Sequence, residues 1–173
     1  MKPMRSLRTY LLSPAFYGVL LSLFFILCCP AVAAAADPDP YLFRFGAGFQ
    51  GLYPELGYSA VLNLTKHSAL QGLFIYNDYA AIWGGKYLYR FLIRPTHNLY
   101  AHGLAGHFAF YTESWDLVVS PGFVGGIGLE FTTSDFFTNL KYNLEIGYST
   151  AGVPWGPPGP SLVYSGGIHF YLF

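Results

Sequence analysis

The sequence predicts an all-β fold, an eight-stranded antiparallel transmembrane β-barrel after a cleaved signal peptide. Three observations carry this. The chain opens on a basic and then apolar segment of export type, 20% of its residues are aromatic, and its last thirteen residues (SLVYSGGIHFYLF) alternate with a period of two. A terminal strand leaves an open edge, and in lipid every unpaired backbone group costs several kcal/mol, so closure on the first strand is the expected solution.

Residues 1–36 read as the signal. Lys2, Arg5 and Arg8 precede an apolar run from Val19 to Cys29, and Ala31 to Ala36 supply small residues for cleavage near Ala36. A retained anchor is the alternative, although the apolar run is short for a helix of about 20 residues. Cys28 and Cys29 raise lipoprotein processing as a further option, without a convincing lipobox before either. Residues 37–173 form the expected barrel domain. Both cysteines lie in the signal, so that domain holds no disulfide.

Eight segments follow, separated by turn chemistry. The first, 41–51, sets Phe43, Phe45, Ala47 and Phe49 against Arg44, Gly46, Gly48 and Gln50. The second, 55–64, sets Leu56, Tyr58, Ala60 and Leu62 against Gly57, Ser59 and Asn63. A polar turn at 65–68 leads to the third, 69–77. The fourth, 85–94, alternates Tyr87, Tyr89, Phe91 and Ile93 with Lys86, Arg90 and Arg94. After a turn at 95–98 come the fifth, 99–111, and the sixth, 118–131. A turn at 132–135 leads to the seventh, 136–148, with Phe136, Leu140, Tyr142, Leu144, Ile146 and Tyr148 opposite Asn139, Lys141, Asn143 and Glu145. The eighth is 161–173. Alternation in the third, fifth and eighth is too weak to assign their faces.

The connections after the second, fourth and sixth segments are short and polar. Those after the third, fifth and seventh are longer and carry Trp83, Trp115 and Trp155, which are expected as aromatics of the outer rim. This asymmetry predicts short turns on the periplasmic side. The inward faces predict a lumen network of Arg44, Lys86, Arg90, Arg94, Glu130, Lys141 and Glu145. Eight strands enclose little more than side chains, so these charges are expected to pair rather than line an ion path.

Composition excludes other classes. Past residue 36, six Lys and Arg stand against nine Asp and Glu, with no basic run to engage nucleic acid. No second apolar stretch of 18 residues suggests a helical membrane protein. The histidines lack metal-ligand spacing with acids, and no metal or other cofactor is expected. The Gly125-Gly126-Ile127-Gly128 run is no phosphate loop, because no helix follows it. The proline-rich stretch at 154–160 is read as a stiff connecting loop, with a rigid partner-binding surface as the alternative.

With its export segment, eight strands and terminal Phe173, the chain resembles the small outer-membrane β-barrel proteins. That resemblance implies residence in the bacterial outer membrane, contact with its lipid and lipopolysaccharide, and delivery to the barrel-assembly machinery through the strand ending at Phe173. Phe173 and Tyr171 follow the assembly pattern of such proteins, while His169 and Gly167 depart from it. Within the class, Gly147-Tyr148-Ser149-Thr150-Ala151-Gly152 is similar to the His-x-Ser-Asn-Ala-Gly stretch of the lipid A deacylases. Ser149, Ala151 and Gly152 match, but Gly147 stands in place of the histidine. The final strand supplies no glutamate either. A serine without a base is a poor nucleophile, so the resemblance implies shared architecture without shared chemistry. His67 and His97 are expected at the opposite end from Ser149. His102 and His107, five apart, must face opposite sides of one strand.

The expected function is therefore a non-enzymatic outer-membrane barrel with a structural or surface-interaction role. The alternatives are a lipid A deacylase-like hydrolase using Ser149, and a narrow channel or small-ligand carrier.

Overall fold

Period-two patterning resolves into eight strands: β1 (Phe45–Leu52), β2 (Glu55–Asn63), β3 (Ser68–Tyr76), β4 (Ala80–Ile93), β5 (His97–Tyr111), β6 (Leu117–Thr132), β7 (Leu140–Ser149) and β8 (Ser161–Tyr171). Each pairs antiparallel with its sequence neighbours, and β8 returns to β1, so the sheet is a closed eight-stranded barrel. Closure satisfies both edges at once. The computed structural model describes residues 44–53, 55–77, 80–111, 117–132, 139–151 and 160–172. The expected signal, Trp115, Trp155, Phe136, Phe173 and most of the proline-rich loop lie outside them.

The two faces are chemically inverted relative to a water-soluble barrel. Outward positions carry Leu56, Tyr58, Phe91, Phe123, Ile127, Leu144 and Tyr148, each more than half exposed. Inward positions bury Gln50, Asn63, Gln71, Lys86, Arg90, Glu130, Lys141 and Glu145. The strands whose facing the sequence left open now have one. Ala69, Gln71, Leu73 and Ile75 of β3 point inward, as do Tyr100, His102, Leu104 and Phe108 of β5. In β8, Val163, His169 and Tyr171 are buried, whereas Leu162, Tyr164, Ile168, Phe170 and Leu172 are exposed. The exposed apolar stripe of the last strand is thus out of phase with the buried Tyr171.

The interior is layered along the barrel axis. Toward the end carrying the β2–β3, β4–β5 and β6–β7 turns it holds the Arg90–Glu130–Lys141 ion pairs beside a smaller cluster of Val61, Ala69, Leu88, Tyr100 and Tyr171. At the other end Leu52, Leu73, Ile75, Ile82, Leu104, Phe108, Val124, Ala151 and Val163 form one apolar cluster.

Two expectations about position are corrected. Trp83 does not sit in a connection: β4 begins at Ala80, so Trp83 is part of the wall, opposite Phe74 and His107. The same extension shortens the β3–β4 connection to residues 77–79, which narrows the predicted contrast between short turns and long loops. The backbone there pairs because Ala80, Ala81 and Ile82 are apolar and fully buried.

Arg94 is the second correction. Arg90 pairs with Tyr100, but Leu92 pairs with Leu99 and Ile93 with the inward-facing Asn98. A bulge between Arg90 and Leu92 therefore shifts the phase of the strand by one residue, and such a bulge re-aims the side chains beyond it. Ile93 takes the inward phase, and Arg94 is exposed instead of lying in the lumen.

Candidate functional site

Five of the seven charges expected in the lumen are brought together there: Lys86, Arg90, Glu130, Lys141 and Glu145. They form two centres. In the first, Lys86 Nζ lies 2.8 and 2.9 Å from the two Glu145 oxygens, and the Tyr100 hydroxyl donates to Glu145 Oε1 at 2.7 Å. His102 Nε2 stands 3.9 Å from Glu145 Oε2. In the second, Glu130 accepts from Lys141 at 3.0 Å, from Arg90 at 3.3 Å and from Asn98 at 2.7 Å. Arg90 also donates to Asn63 Oδ1 at 2.9 Å, and the Lys141 ammonium lies 5.1 Å from the Tyr171 ring centroid. Arg44, the sixth, is half-buried at the turn end of this layer and donates to Asn139 Oδ1 at 3.4 Å.

Glycines decide how these long side chains reach one another. Tyr100, Gly128 and Glu145 are successive partners on β5, β6 and β7. A Cβ at Gly128 would run into the Tyr100 ring, so its absence lets the ring lie across β6 to reach the carboxylate two strands away. Gly126 does the same for His102, whose Nε2 would stand 2.9 Å from an added Cβ. The Gly125–Gly128 run is therefore a stretch of wall, thinned to make room.

A polar layer joins the first centre through Gln50, whose Nε2 donates to Glu145 Oε2 at 3.4 Å. Gln71 Nε2 donates to Gln50 Oε1 at 3.2 Å and to Ser59 Oγ at 3.3 Å, and Asn143 Nδ2 donates to Gln50 Oε1 at 3.0 Å. Gln50 in turn donates to Ser165 Oγ. Ser59 Oγ is hydrogen-bonded to His169 Nε2, a serine–histidine contact that sequence reasoning missed. The signal for it was Gly48. Ser59 and His169 are its partners on either side, and without a side chain between them they meet across β1.

Ser149 lies at the other end, at the last position of β7. It is fully buried, and its hydroxyl donates to the Ala151 carbonyl at 2.7 Å. Its proton is thus engaged by backbone rather than by a base. His67 and His97 flank the opposite turns, and His169 is held by Ser59. His102 sits level with Gly147, and His107 is exposed and stacked on Trp83 with centroids 5.5 Å apart. No group of three His, Cys, Asp or Glu suited to a metal ion forms among the described residues.

The lumen is packed through its middle. Between the apolar cluster and the Lys86–Glu145 centre a void of ≈ 10 Å³ remains, lined by Leu52, Leu104, Val163, His102 and Ser165 among others. That is about the room one water molecule needs.

No protein-family model matches the chain, and no curated protein matches it. The geometry stands on its own as the guide to function.

Proposed function

We propose that this chain is a non-enzymatic integral barrel of the bacterial outer membrane, with a structural or surface-interaction role. The observation that carries this is the inversion of its faces. Leu56, Phe49, Phe91, Ile127, Leu144 and Ile168 are exposed on the outside, while Lys86, Arg90, Glu130, Lys141 and Glu145 are buried within. Large contiguous apolar surface is rare on proteins that face water, and a barrel with an apolar outer band and a polar interior suits a bilayer. Its partners are then membrane lipid and lipopolysaccharide, with the assembly machinery acting on the terminal strand. The export segment at 1–36 fits the same reading.

Two features weigh against the alternatives. Among the described residues no base is hydrogen-bonded to Ser149, whose hydroxyl donates to the Ala151 carbonyl. Against conduction stand the buried ion pairs in the centre and the apolar cluster at the loop end, which occupy the lumen among the described residues.

Refolding into lipid vesicles tests the proposal. The folded barrel should migrate differently on gels before and after boiling, and lipid A incubated with it should keep its mass beside a working deacylase control. Unchanged migration on boiling would remove the membrane reading. Loss of an acyl chain from lipid A would replace the structural role with a catalytic one.

A further inference from the structure

The bulge that expels Arg94 from the lumen delivers it to the turn end of the barrel, where a second cation already stands. Lys66 is exposed in the β2–β3 turn. That turn is fixed: Thr65 Oγ1 accepts from the backbone N–H groups of His67 and Ser68 at 3.1 and 3.0 Å. It is also fastened to β4, because the Arg90 amide donates to the His67 carbonyl and His67 Nδ1 lies 2.8 Å from the Arg90 carbonyl. Arg94 is held from the other side, its amide donating to the His97 carbonyl at 3.0 Å and to Asn98 Oδ1 at 3.3 Å. Lys66 and Arg94 thus stand on neighbouring turns at the same end of the barrel, one before β3 and one after β4, and neither side chain forms an ion pair among the described residues.

An aromatic stripe leads up to this pair. Tyr87, Tyr89 and Phe91 occupy successive outward positions of β4, each close to half exposed. The Tyr87 hydroxyl lies 2.9 Å from Ser68 Oγ, and the Tyr89 ring stacks on His67 with centroids 6.1 Å apart. Three exposed aromatic rings thus lead along β4 to the turn end where the two cations stand. The described acids do not offset them: Glu130 and Glu145 are buried in lumen pairs, and Glu55 begins β2 at the far end.

We infer that Lys66 and Arg94, at the end of the Tyr87–Tyr89–Phe91 stripe, form a binding site for the phosphate of an anionic phospholipid. The aromatic stripe lies against the acyl chains, and the two cations meet the headgroup. Charge complementarity selects an anionic lipid over a zwitterionic one, because a Lys or Arg at such a surface strengthens the attraction about fivefold. The inference rests on the membrane reading above.

The test uses the full chain refolded into vesicles of phosphatidylglycerol and phosphatidylcholine with identical acyl chains. Native mass spectrometry then counts the lipids that remain bound after transfer to mild detergent. Phosphatidylglycerol should be retained in preference, Lys66→Gln and Arg94→Gln should each cut that preference about fivefold, and Lys66→Arg should keep it. Equal retention of the two lipids, or a preference unmoved by the double Gln variant, would overturn the site. So would displacement of the bound lipid by millimolar inorganic phosphate, which would mark a site for the free anion. Heat-modifiable migration in pure phosphatidylcholine separates the two levels. Failure to insert there removes the membrane reading and this site together; insertion without lipid preference removes the site alone.

Discussion

Lys86 and Glu145 form a bidentate ion pair, at 2.8 and 2.9 Å, that joins β4 to β7 through the centre of the barrel. Both side chains are almost wholly buried, so neither charge can be left alone without a large desolvation cost. Tyr100 and Gln50 converge on the same carboxylate from β5 and β1, and the pair thereby ties four strands to one point.

Truncating one partner should therefore be worse than removing both. Lys86→Met alone leaves Glu145 buried and unpaired and should destabilise the barrel by about 3–5 kcal/mol. Lys86→Met with Glu145→Leu should recover most of that loss. Urea unfolding in vesicles measures both. Equal losses in the single and double variants would mean the pair carries no coupling.

Gly48 should tolerate no side chain. A Cβ there would collide with the Ile168 carbonyl and the His169 backbone, in the seam where β1 meets β8. Gly48→Ala should lower refolding yield and separate Ser59 from His169, visible as a shift of the His169 ring resonances by NMR. Wild-type yield with unchanged resonances would contradict the packing described for this seam.

Ser149 should be dispensable for lipid chemistry. Ser149→Ala removes one buried hydrogen bond, to Ala151, and should cost about 1 kcal/mol, with the lipid A mass spectrum identical to wild type. A difference between the two spectra would mean that the hydroxyl acts on substrate.

A charge on the outer wall should be costly where the same charge at the rim is not. Phe49→Arg places a guanidinium on the apolar band and should cost about 2–4 kcal/mol if that position lies near the bilayer midplane, whereas Arg94 is already accommodated at the turn end. Folded fraction in vesicles against urea reads the difference. No loss for Phe49→Arg would place this wall in water.

How much of this was legible beforehand depends on what each face carries. β2 and β7 alternate cleanly, Leu56 and Tyr58 against Ser59, Leu144 and Ile146 against Glu145, and both their existence and their facing follow from sequence. β3 and β5 hid their facing for a physical reason. Toward the loop end their inward residues are Leu73, Ile75, Leu104 and Phe108, members of the apolar cluster, so both faces there are apolar and the period fades. The bulge after Arg90 has no glycine or proline to announce it, and one shifted residue was enough to move Arg94 from lumen to rim. The Ser59–His169 contact is invisible until β8 is paired with β1 in a definite register, since only then do both residues flank Gly48.

The inversion of faces is most directly tested by site-directed spin labelling. The described residues contain no cysteine, and the chain's two, Cys28 and Cys29, can be replaced by serine. Single cysteines at Phe49, Tyr87, Ile146 and Ile168 would then report collision with oxygen, which partitions into lipid, and with a water-soluble nickel chelate. All four labels should be accessible to oxygen and shielded from nickel in vesicle-refolded protein. Nickel accessibility equal to that of a label at the exposed Lys66 turn would mean that this face meets water, and the membrane barrel would have to be abandoned.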